Sequence, residues 1–130
     1  MHKAVGVVLK TRDGKFLLQW RDNKKEIVDP DTYSIFGGAI EPNESPEKAA
    51  IREMEEELEL KLEEKHLKFI DMNVKGKDYQ NYVFLYQMPV NQKELKLHEG
   101  QAIVPMTKKQ ILFNKKTCNE TRLFFLLHKL

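Results

Sequence analysis

The chain has 130 residues, of which 41% are hydrophobic and 32% are charged, and its formal net charge is +2 at pH 7. This length and apolar content predict one domain over residues 1–130 with a substantial core. The nearly balanced charge gives no indication of a nucleic-acid partner, and the apolar run at residues 123–127 is far too short to cross a membrane. Because Cys118 is the single cysteine and the chain does not start like a signal peptide, we expect a soluble, cytoplasmic protein.

The segment before residue 37 predicts strands joined by polar turns. Each strand is a short apolar run bounded by turn-forming residues. The predicted elements are strands at residues 4–9, 15–20 and 33–36, a turn at Asp13-Gly14 and a loop at residues 23–31. The third strand leads into Gly37-Gly38, where the backbone can approach a ligand closely and expose its carbonyl oxygens.

A helix is predicted after residue 44. Ser45 suits its N-cap, Pro46 its first position and Glu47 the positive end of its dipole. At about 100° per residue, its side chains fall into three sectors. The apolar sector holds Ala50, Ile51, Met54 and Leu58. The acidic sector holds Glu53, Glu56 and Glu57, and the solvent-facing sector holds Lys48, Glu55 and Glu59.

The second half of the chain predicts further strands and two more helices. The predicted elements are strands at residues 67–74, 79–88 and 102–105, a turn at residues 75–78 and a helix at residues 107–112. Thr117 and Glu120 have the spacing of a capping box, which predicts a last helix rich in Leu and Phe. Strands mixed with helices on one short chain predict an α/β sandwich.

The acidic sector of the first helix indicates a metal site. Carboxylates at this spacing are common on solvated helix faces, but this sector adjoins the apolar one and therefore lies near the sheet. Carboxylates, a backbone carbonyl from Gly37 or Gly38, and water are the hard oxygen ligands that Mg²⁺ or Mn²⁺ prefers. We therefore predict metal-assisted chemistry on a phosphate.

The stretch at residues 38–60 resembles the Nudix box. The matching positions, in order, are Gly38, Glu44, Arg52-Glu53-Met54, Glu56-Glu57 and Leu60. The resemblance extends to the hairpin strand at residues 16–21, to the approach at residues 33–38 and to the segment His98-Glu99-Gly100-Gln101. We therefore identify the chain as a MutT-like member of the Nudix hydrolase family.

The resemblance implies a fold and a set of roles. The fold is a Nudix-type α/β/α sandwich with a mixed central sheet. Glu53, Glu56, Glu57 and a carbonyl from Gly38 or its neighbour are expected to bind Mg²⁺, with Mn²⁺ as a substitute. Catalytic roles are expected for Arg52, Glu53, Glu56 and Glu99.

Several of these roles keep an alternative. Glu99 is the first choice for the general base, and Glu53 and Glu56 compete with it. Arg52 is expected to orient nearby carboxylates, and the alternative is a simple bridge to Glu56. Glu44 is expected to organise the loop rather than to bind metal.

The sequence departs from the family pattern at three positions. Glu59 replaces a glycine that would normally end the helix in the left-handed conformation, where glutamate costs on the order of 1 kcal/mol. Asn43 replaces another glycine, and asparagine tolerates that conformation best among other residues. Phe36 stands where many members have proline. We therefore expect Glu59 to alter how the helix ends more than it alters the activity.

The implied reaction is attack of water on a phosphorus of a nucleoside diphosphate linked to another group. The short chain favours a nucleoside triphosphate over capped RNA, and a homodimer is a possible assembly. Trp20, Tyr33, Tyr79, Tyr82, Phe84 and Tyr86 are candidates to stack on a base. One alternative is a non-catalytic nucleotide- or RNA-binding module, although such modules usually lack box carboxylates that are kept here. Another is isomerisation of a prenyl diphosphate, which the intact box and the late Cys118 disfavour.

Overall fold

A computed structural model describes residues 2–75 and 78–130. The strands are β1 His2–Lys10, β2 Phe16–Trp20, β3 Tyr33–Ser34, β4 Phe36–Ala39, β5 Leu67–Lys75, β6 Tyr79–Tyr86 and β7 Ala102–Met106. The α-helices are α1 Pro46–Leu58, α2 Lys108–Phe113 and α3 Asn119–Leu127, and short 3-10 helices lie at Glu64–His66 and Gln92–Glu94. No helix in these ranges is long and apolar enough to cross a membrane.

The described strands form a mixed sheet of seven strands. The central order is β3-β2-β1-β6-β5, with β4 paired to β1 and β7 paired to β2. Strands β1 and β6 run parallel, and the other pairs are antiparallel. The α/β fold with a mixed sheet is therefore confirmed.

The described residues form two hydrophobic clusters, and β6 contributes alternate residues to each. On one side, Phe84 packs with Met54 and Leu58 of α1. On the other side, Val83 packs with Phe124 and Phe125 of α3. Phe36 is fully buried in the α1 cluster, where burying its side chain contributes roughly 1.5–3 kcal/mol. Burial of its side chain in this cluster therefore accounts for Phe36 at a position where many family members have proline.

The helix α1 begins and ends through specific caps. The Ser45 hydroxyl accepts a hydrogen bond from the Lys48 amide at 3.2 Å, and Pro46 occupies the first turn, as predicted. Glu59 ends the helix with φ 52° in the left-handed region, and its amide donates to the Glu55 carbonyl. Glu59 therefore takes the conformation that favours glycine, and the helix closes where a glycine would close it. The expectation that Glu59 alters how the helix ends is wrong.

One predicted strand is divided in the structure. The strand predicted at residues 33–36 is split into β3 and β4, because the Ile35 amide donates to the Thr121 hydroxyl at 3.2 Å. The predicted turn at residues 75–78 includes positions outside the described residues.

The predicted capping box at the last helix is wrong. Cys118, not Thr117, is the N-cap of α3, and its side chain makes no capping hydrogen bond. Glu120 instead accepts a hydrogen bond from the Asn81 side chain of β6 at 3.0 Å. Packing of α3 against the sheet therefore outweighs the local capping pattern.

Candidate active site

Arg52 connects α1 to the loop that precedes it. Its guanidinium binds both oxygens of Glu44, with Nε at 2.8 Å and Nη2 at 2.9 Å. Nη2 also donates to the Ala39 carbonyl of β4 at 2.8 Å. This planar, two-pronged pairing holds the pKa of Glu44 at about 2, with the Arg52 hydrogen bonds as the main cause and the Glu41 amide as the second.

The same guanidinium contacts two carboxylates of the acidic sector. Nη1 lies 3.0 Å from Oε1 of Glu53 and 3.3 Å from Oε2 of Glu56. The sequence left two alternatives for Arg52: a simple bridge to Glu56, or pairing with several nearby carboxylates. In the structure Arg52 makes both kinds of contact. Arg52 fixes two box glutamates relative to Glu44.

The loop between β4 and α1 is closed by Glu44 and Asn43. Oε1 of Glu44 accepts from the Glu41 amide at 3.0 Å, and the Glu44 amide donates to the Glu41 carbonyl at 3.1 Å. Asn43 has φ 65°, in the left-handed region that asparagine tolerates. This loop is thus built from its own hydrogen bonds and from Arg52.

Glu53 packs directly on Gly38, the second glycine of the pair in β4. A Cβ placed on Gly38 would lie 2.3 Å from Cδ of Glu53, so the carboxyl group occupies the space that a side chain would need. A Cβ on Gly37 would instead lie 2.0 Å from the backbone oxygen of Val5 on β1. Gly38 therefore makes room for the carboxylate, and Gly37 makes room for the adjacent strand.

These two glycines predict a matched pair of variants. Gly38→Ala should push the Glu53 carboxyl group aside, which lowers kcat roughly 10- to 100-fold because small misplacements of catalytic groups are costly. Its free energy of unfolding should change little, since a flexible side-chain end can move. Gly37→Ala should instead lose about 3 kcal/mol or more, because backbone must move. Urea denaturation and steady-state kinetics on both variants test this, and equal stability losses would contradict it.

Glu57 is the buried member of the acidic sector. It is 3% exposed, and its Oε2 has no hydrogen-bond partner among the described residues. The pKa of Glu57 is raised to about 9, mainly by burial; the hydrogen bond with Glu99 and the charges of Glu99 and Glu53 contribute to this rise, and Arg21 opposes it. A buried carboxyl group with this pKa is unfavourable as an anion unless a cation lies against it.

Glu99 joins the acidic sector from a distant loop. Its side chain is hydrogen-bonded to Glu57, and its charge contributes to raising the pKa of Glu53, for which burial is the main cause. Glu56 also raises the pKa of Glu53, whereas Arg52 lowers it. Four side chains therefore form one electrostatically coupled group, here termed the carboxylate cluster: Glu53, Glu56, Glu57 and Glu99.

The chemistry of the carboxylate cluster fits a divalent cation. In residues 2–75 and 78–130, no three acidic, histidine or cysteine side chains stand in an arrangement that holds an ion. Arg52 engages one oxygen of Glu53 and one oxygen of Glu56, so the second oxygen of each carboxylate lies outside these contacts. The partnerless buried oxygen of Glu57 and the neighbouring carboxylates are the hard donors that Mg²⁺ or Mn²⁺ prefers.

A cavity of about 690 Å³ lies beside the glycine pair. It is bounded by β1, β4, β6 and α3, and its polar lining includes Ser34, Asn73 and Asn81. Its volume lies within the usual range for small-molecule sites. Because Gly37 and Gly38 also line it, the cavity adjoins the carboxylate cluster.

The aromatic side chains that are candidates for base stacking lie in different parts of the structure. Tyr79 lines the cavity, together with Asn81 and Val83 on the same face of β6. The alternate residues Tyr82, Phe84 and Tyr86 pack on the α1 side of the sheet. Trp20 donates from its indole to Asp31 and packs against Tyr33. The alternation of β6 predicted two faces, and the position of α3 decides which one lines the cavity.

Several residues around the site were not predicted from the sequence to lie there. Glu120 and Asn81 form a hydrogen-bonded pair in the cavity wall, and Arg21 lies near enough to lower the pKa of Glu57. Gln19 is 3% exposed and donates to the Glu99 carbonyl at 3.0 Å. A buried glutamine in an apolar strand is itself a signal, because buried amides need partners.

The chain is similar to a known protein family and to solved structures of MutT proteins. The family model described as "NUDIX domain" matches residues 1–117. The MutT protein from Methanosarcina mazei Go1 is 21% identical, with a TM-score of 0.78 over 97% of this chain and 91% of that one. The MutT NUDIX hydrolase from Burkholderia pseudomallei is 20% identical, with a TM-score of 0.78 over 98% of each chain.

The chain is also similar to an Ap4A hydrolase of known structure. The C. elegans Ap4A hydrolase, solved as a binary complex, is 19% identical, with a TM-score of 0.66 over 95% of this chain and 93% of that one. At these identities the structural likeness shows a shared fold. None of the curated proteins compared with the chain matches it significantly.

Proposed function

This chain belongs to the NUDIX domain family, and on that premise we propose that it is a divalent-metal-dependent nucleoside triphosphate pyrophosphohydrolase. The observation that carries the proposal is the carboxylate cluster, whose buried member Glu57 has one oxygen with no hydrogen-bond partner in the part of the chain that the structure describes. A cavity of about 690 Å³, large enough for a nucleoside, adjoins it. The solved neighbour from Burkholderia pseudomallei, a MutT NUDIX hydrolase, supports hydrolysis as the reaction class.

Each residue of the cluster has a proposed role. Glu53, Glu56, Glu57 and a carbonyl of Gly38 would hold Mg²⁺, or Mn²⁺ in its place. The cation supplies charge neutralisation for the diphosphate and lowers the pKa of water. Arg52 keeps the first two glutamates in register with the loop through its contacts at 3.0 and 3.3 Å. Glycine at position 38 leaves the room that the Glu53 carboxyl group occupies.

The chemical step is a displacement at phosphorus. Water attacks one phosphorus, the bridging P–O bond breaks, and the departing phosphate oxygen takes the electron pair. The proton of the attacking water passes to a carboxylate, for which we propose Glu99. Glu99 is exposed and still contacts Glu57, so it reaches both solvent and the cluster. Glu53 and Glu56 are the competing bases, but Arg52 already engages them.

A substrate panel tests the function. Nucleoside triphosphates, nucleoside diphosphate-linked compounds and dinucleoside polyphosphates would each be incubated with Mg²⁺, Mn²⁺ or chelator, and products separated by chromatography. We expect metal-dependent release of pyrophosphate from a nucleoside triphosphate. Carrying out the reaction in ¹⁸O-labelled water then identifies the phosphorus attacked, because the label enters the product that contains it.

The controls separate hydrolysis from binding. The double variant Glu56→Gln with Glu57→Gln should lose turnover, whereas Glu55→Gln, an exposed neighbour on the same helix, should keep it. Full activity in the double variant, or no turnover on the whole panel, would overturn the proposal. Calorimetry that shows nucleotide binding without metal or turnover would favour a binding module instead.

A further inference from the structure

The segment at residues 96–98 is attached to the C-terminal end of α1. The Lys96 amide donates to the Leu58 carbonyl at 3.0 Å, and the His98 amide donates to the Glu57 carbonyl at 2.8 Å. These carbonyls belong to the last turn of the helix, where no intrahelical donor is available. The loop that carries Glu99 thus caps the helix that carries the other carboxylates.

A side-chain contact reinforces this attachment. Nε2 of His98 lies 2.6 Å from Oε2 of Glu59, the residue that ends α1 in the left-handed conformation. Both side chains are about half exposed, at 54% and 47%. An exposed pair of this kind contributes little to global stability, and glutamate is disfavoured at φ 52°. Global stability therefore gives no reason for glutamate at position 59.

The other side of Glu99 is fixed to β2. The Gln19 side chain donates to the Glu99 carbonyl at 3.0 Å, and the Gln101 amide donates to the Trp20 carbonyl at 2.7 Å. Gly100 has φ 94°, and a Cβ there would lie 2.9 Å from Cγ of Gln19. Glu99 is therefore held between β2 on one side and the end of α1 on the other.

We propose that Glu59 and His98 are positioning residues: their contact fixes the loop so that the Glu99 carboxyl group stays against Glu57. This inference rests on the proposed function for its catalytic consequence. It explains why a strained glutamate stands at the helix end, because glycine would relieve the backbone but leave His98 without its partner. Neither residue belongs to the carboxylate cluster, and His98 directly precedes Glu99 in the chain, so each acts through Glu99.

The test compares backbone order, stability and kinetics in Glu59→Gly. Hydrogen exchange of the Lys96 and His98 amides should become roughly two- to fivefold faster, which corresponds to loss of one exposed charged contact. The Leu95 amide, which bonds locally to Gln92, serves as an internal control. The thermal midpoint should stay equal or rise, since glycine suits this conformation. The kcat should fall roughly two- to fivefold with KM unchanged.

Variants of His98 make the test specific. His98→Ala should reproduce the exchange and kcat effects, and combining it with Glu59→Gly should add nothing further. His98→Gln should restore both, because the glutamine amide can donate to Glu59 while the backbone bond to Glu57 is kept.

Two results would overturn the inference. Unchanged exchange at Lys96 and His98 in Glu59→Gly would do so whether or not the protein turns over a nucleotide. Faster exchange with an unchanged kcat would also do so, because the loop would then not position Glu99. A wild-type chain without turnover contradicts the proposed function instead, and the exchange rates then decide the Glu59–His98 contact by themselves.

Discussion

Glu57→Gln is expected to remove metal-dependent turnover and, in the absence of metal, to stabilise the protein at neutral and mildly alkaline pH. The folded pKa of Glu57 is raised from 4.5 to about 9 by burial and by Glu99. The folded state therefore binds more protons than the unfolded state between these values, and its stability falls as pH rises through this window. Glutamine does not titrate, so the variant lacks this loss.

The expected gain in unfolding free energy for Glu57→Gln is on the order of 1–3 kcal/mol at pH 8 with chelator present. Saturating Mg²⁺ should reverse the order, because a cation that binds only the folded wild type adds about 2.7 kcal/mol at a hundredfold excess over its dissociation constant. Urea denaturation of the wild type and the variant at pH 5 and pH 8, with Mg²⁺ and with chelator, measures the free energy of unfolding under each of these four conditions.

The kinetic effect of Glu57→Gln should be a loss of kcat of about a hundredfold or more, since a metal supplies several kcal/mol of transition-state stabilisation. Glu55→Gln is the matched control, because Glu55 is exposed on the same helix and should change stability by no more than about 0.5 kcal/mol. Retained turnover in Glu57→Gln, or a metal-free variant less stable than wild type at pH 8, would contradict the role given to this residue.

Arg52→Lys is expected to weaken both the fold and the activity, although it keeps the charge. Lysine cannot reproduce the planar fork that binds both oxygens of Glu44 while contacting Ala39, Glu53 and Glu56. We expect a loss of roughly 1–3 kcal/mol in unfolding free energy and a fall in kcat of roughly 10- to 100-fold, as for residues that orient metal ligands. Denaturant titration and kinetics at saturating Mg²⁺ measure these effects.

The acid side of the stability profile gives an independent check on Arg52. The folded pKa of Glu44 is lowered to about 2, so its contribution is present above pH 4.5 and lost as pH falls from 4.5 towards 2. Arg52→Lys should flatten this part of the profile. Lys48→Met, at an exposed position of the same helix, is the control and should leave it unchanged. A lysine variant with the wild-type acid profile would show that the fork is not what lowers this pKa.

Local patterns were sufficient to predict α1 and its three sectors. Ser45 caps the helix, Met54 and Leu58 are buried, and Glu55 is exposed, because helical periodicity fixes which side chains share a face. The spacing of the box charges was enough to identify the family, since it depends on residue order alone. The metal ligands, the general base and the homodimer stay predictions.

Predictions that depended on local signals failed where tertiary contacts compete with them. The Thr117–Glu120 capping box does not form, because Glu120 pairs with Asn81 on β6. The strand at residues 33–36 is interrupted where Ile35 bonds to α3. In both places a partner from a distant part of the chain replaces the local one.

The sequence by itself determined the family, the acidic face of α1 and the glycine pair beside it, because each is set by neighbours within a turn or a strand. The tertiary structure alone decided that Glu57 is the buried carboxylate with a raised pKa, since burial depends on what packs over the helix. It also decided that Glu99 reaches that carboxylate, through contacts such as that with Gln19, 80 residues away in sequence. Sequence spacing fixes which groups share a face, whereas desolvation and charge coupling depend on distances that only the folded chain sets.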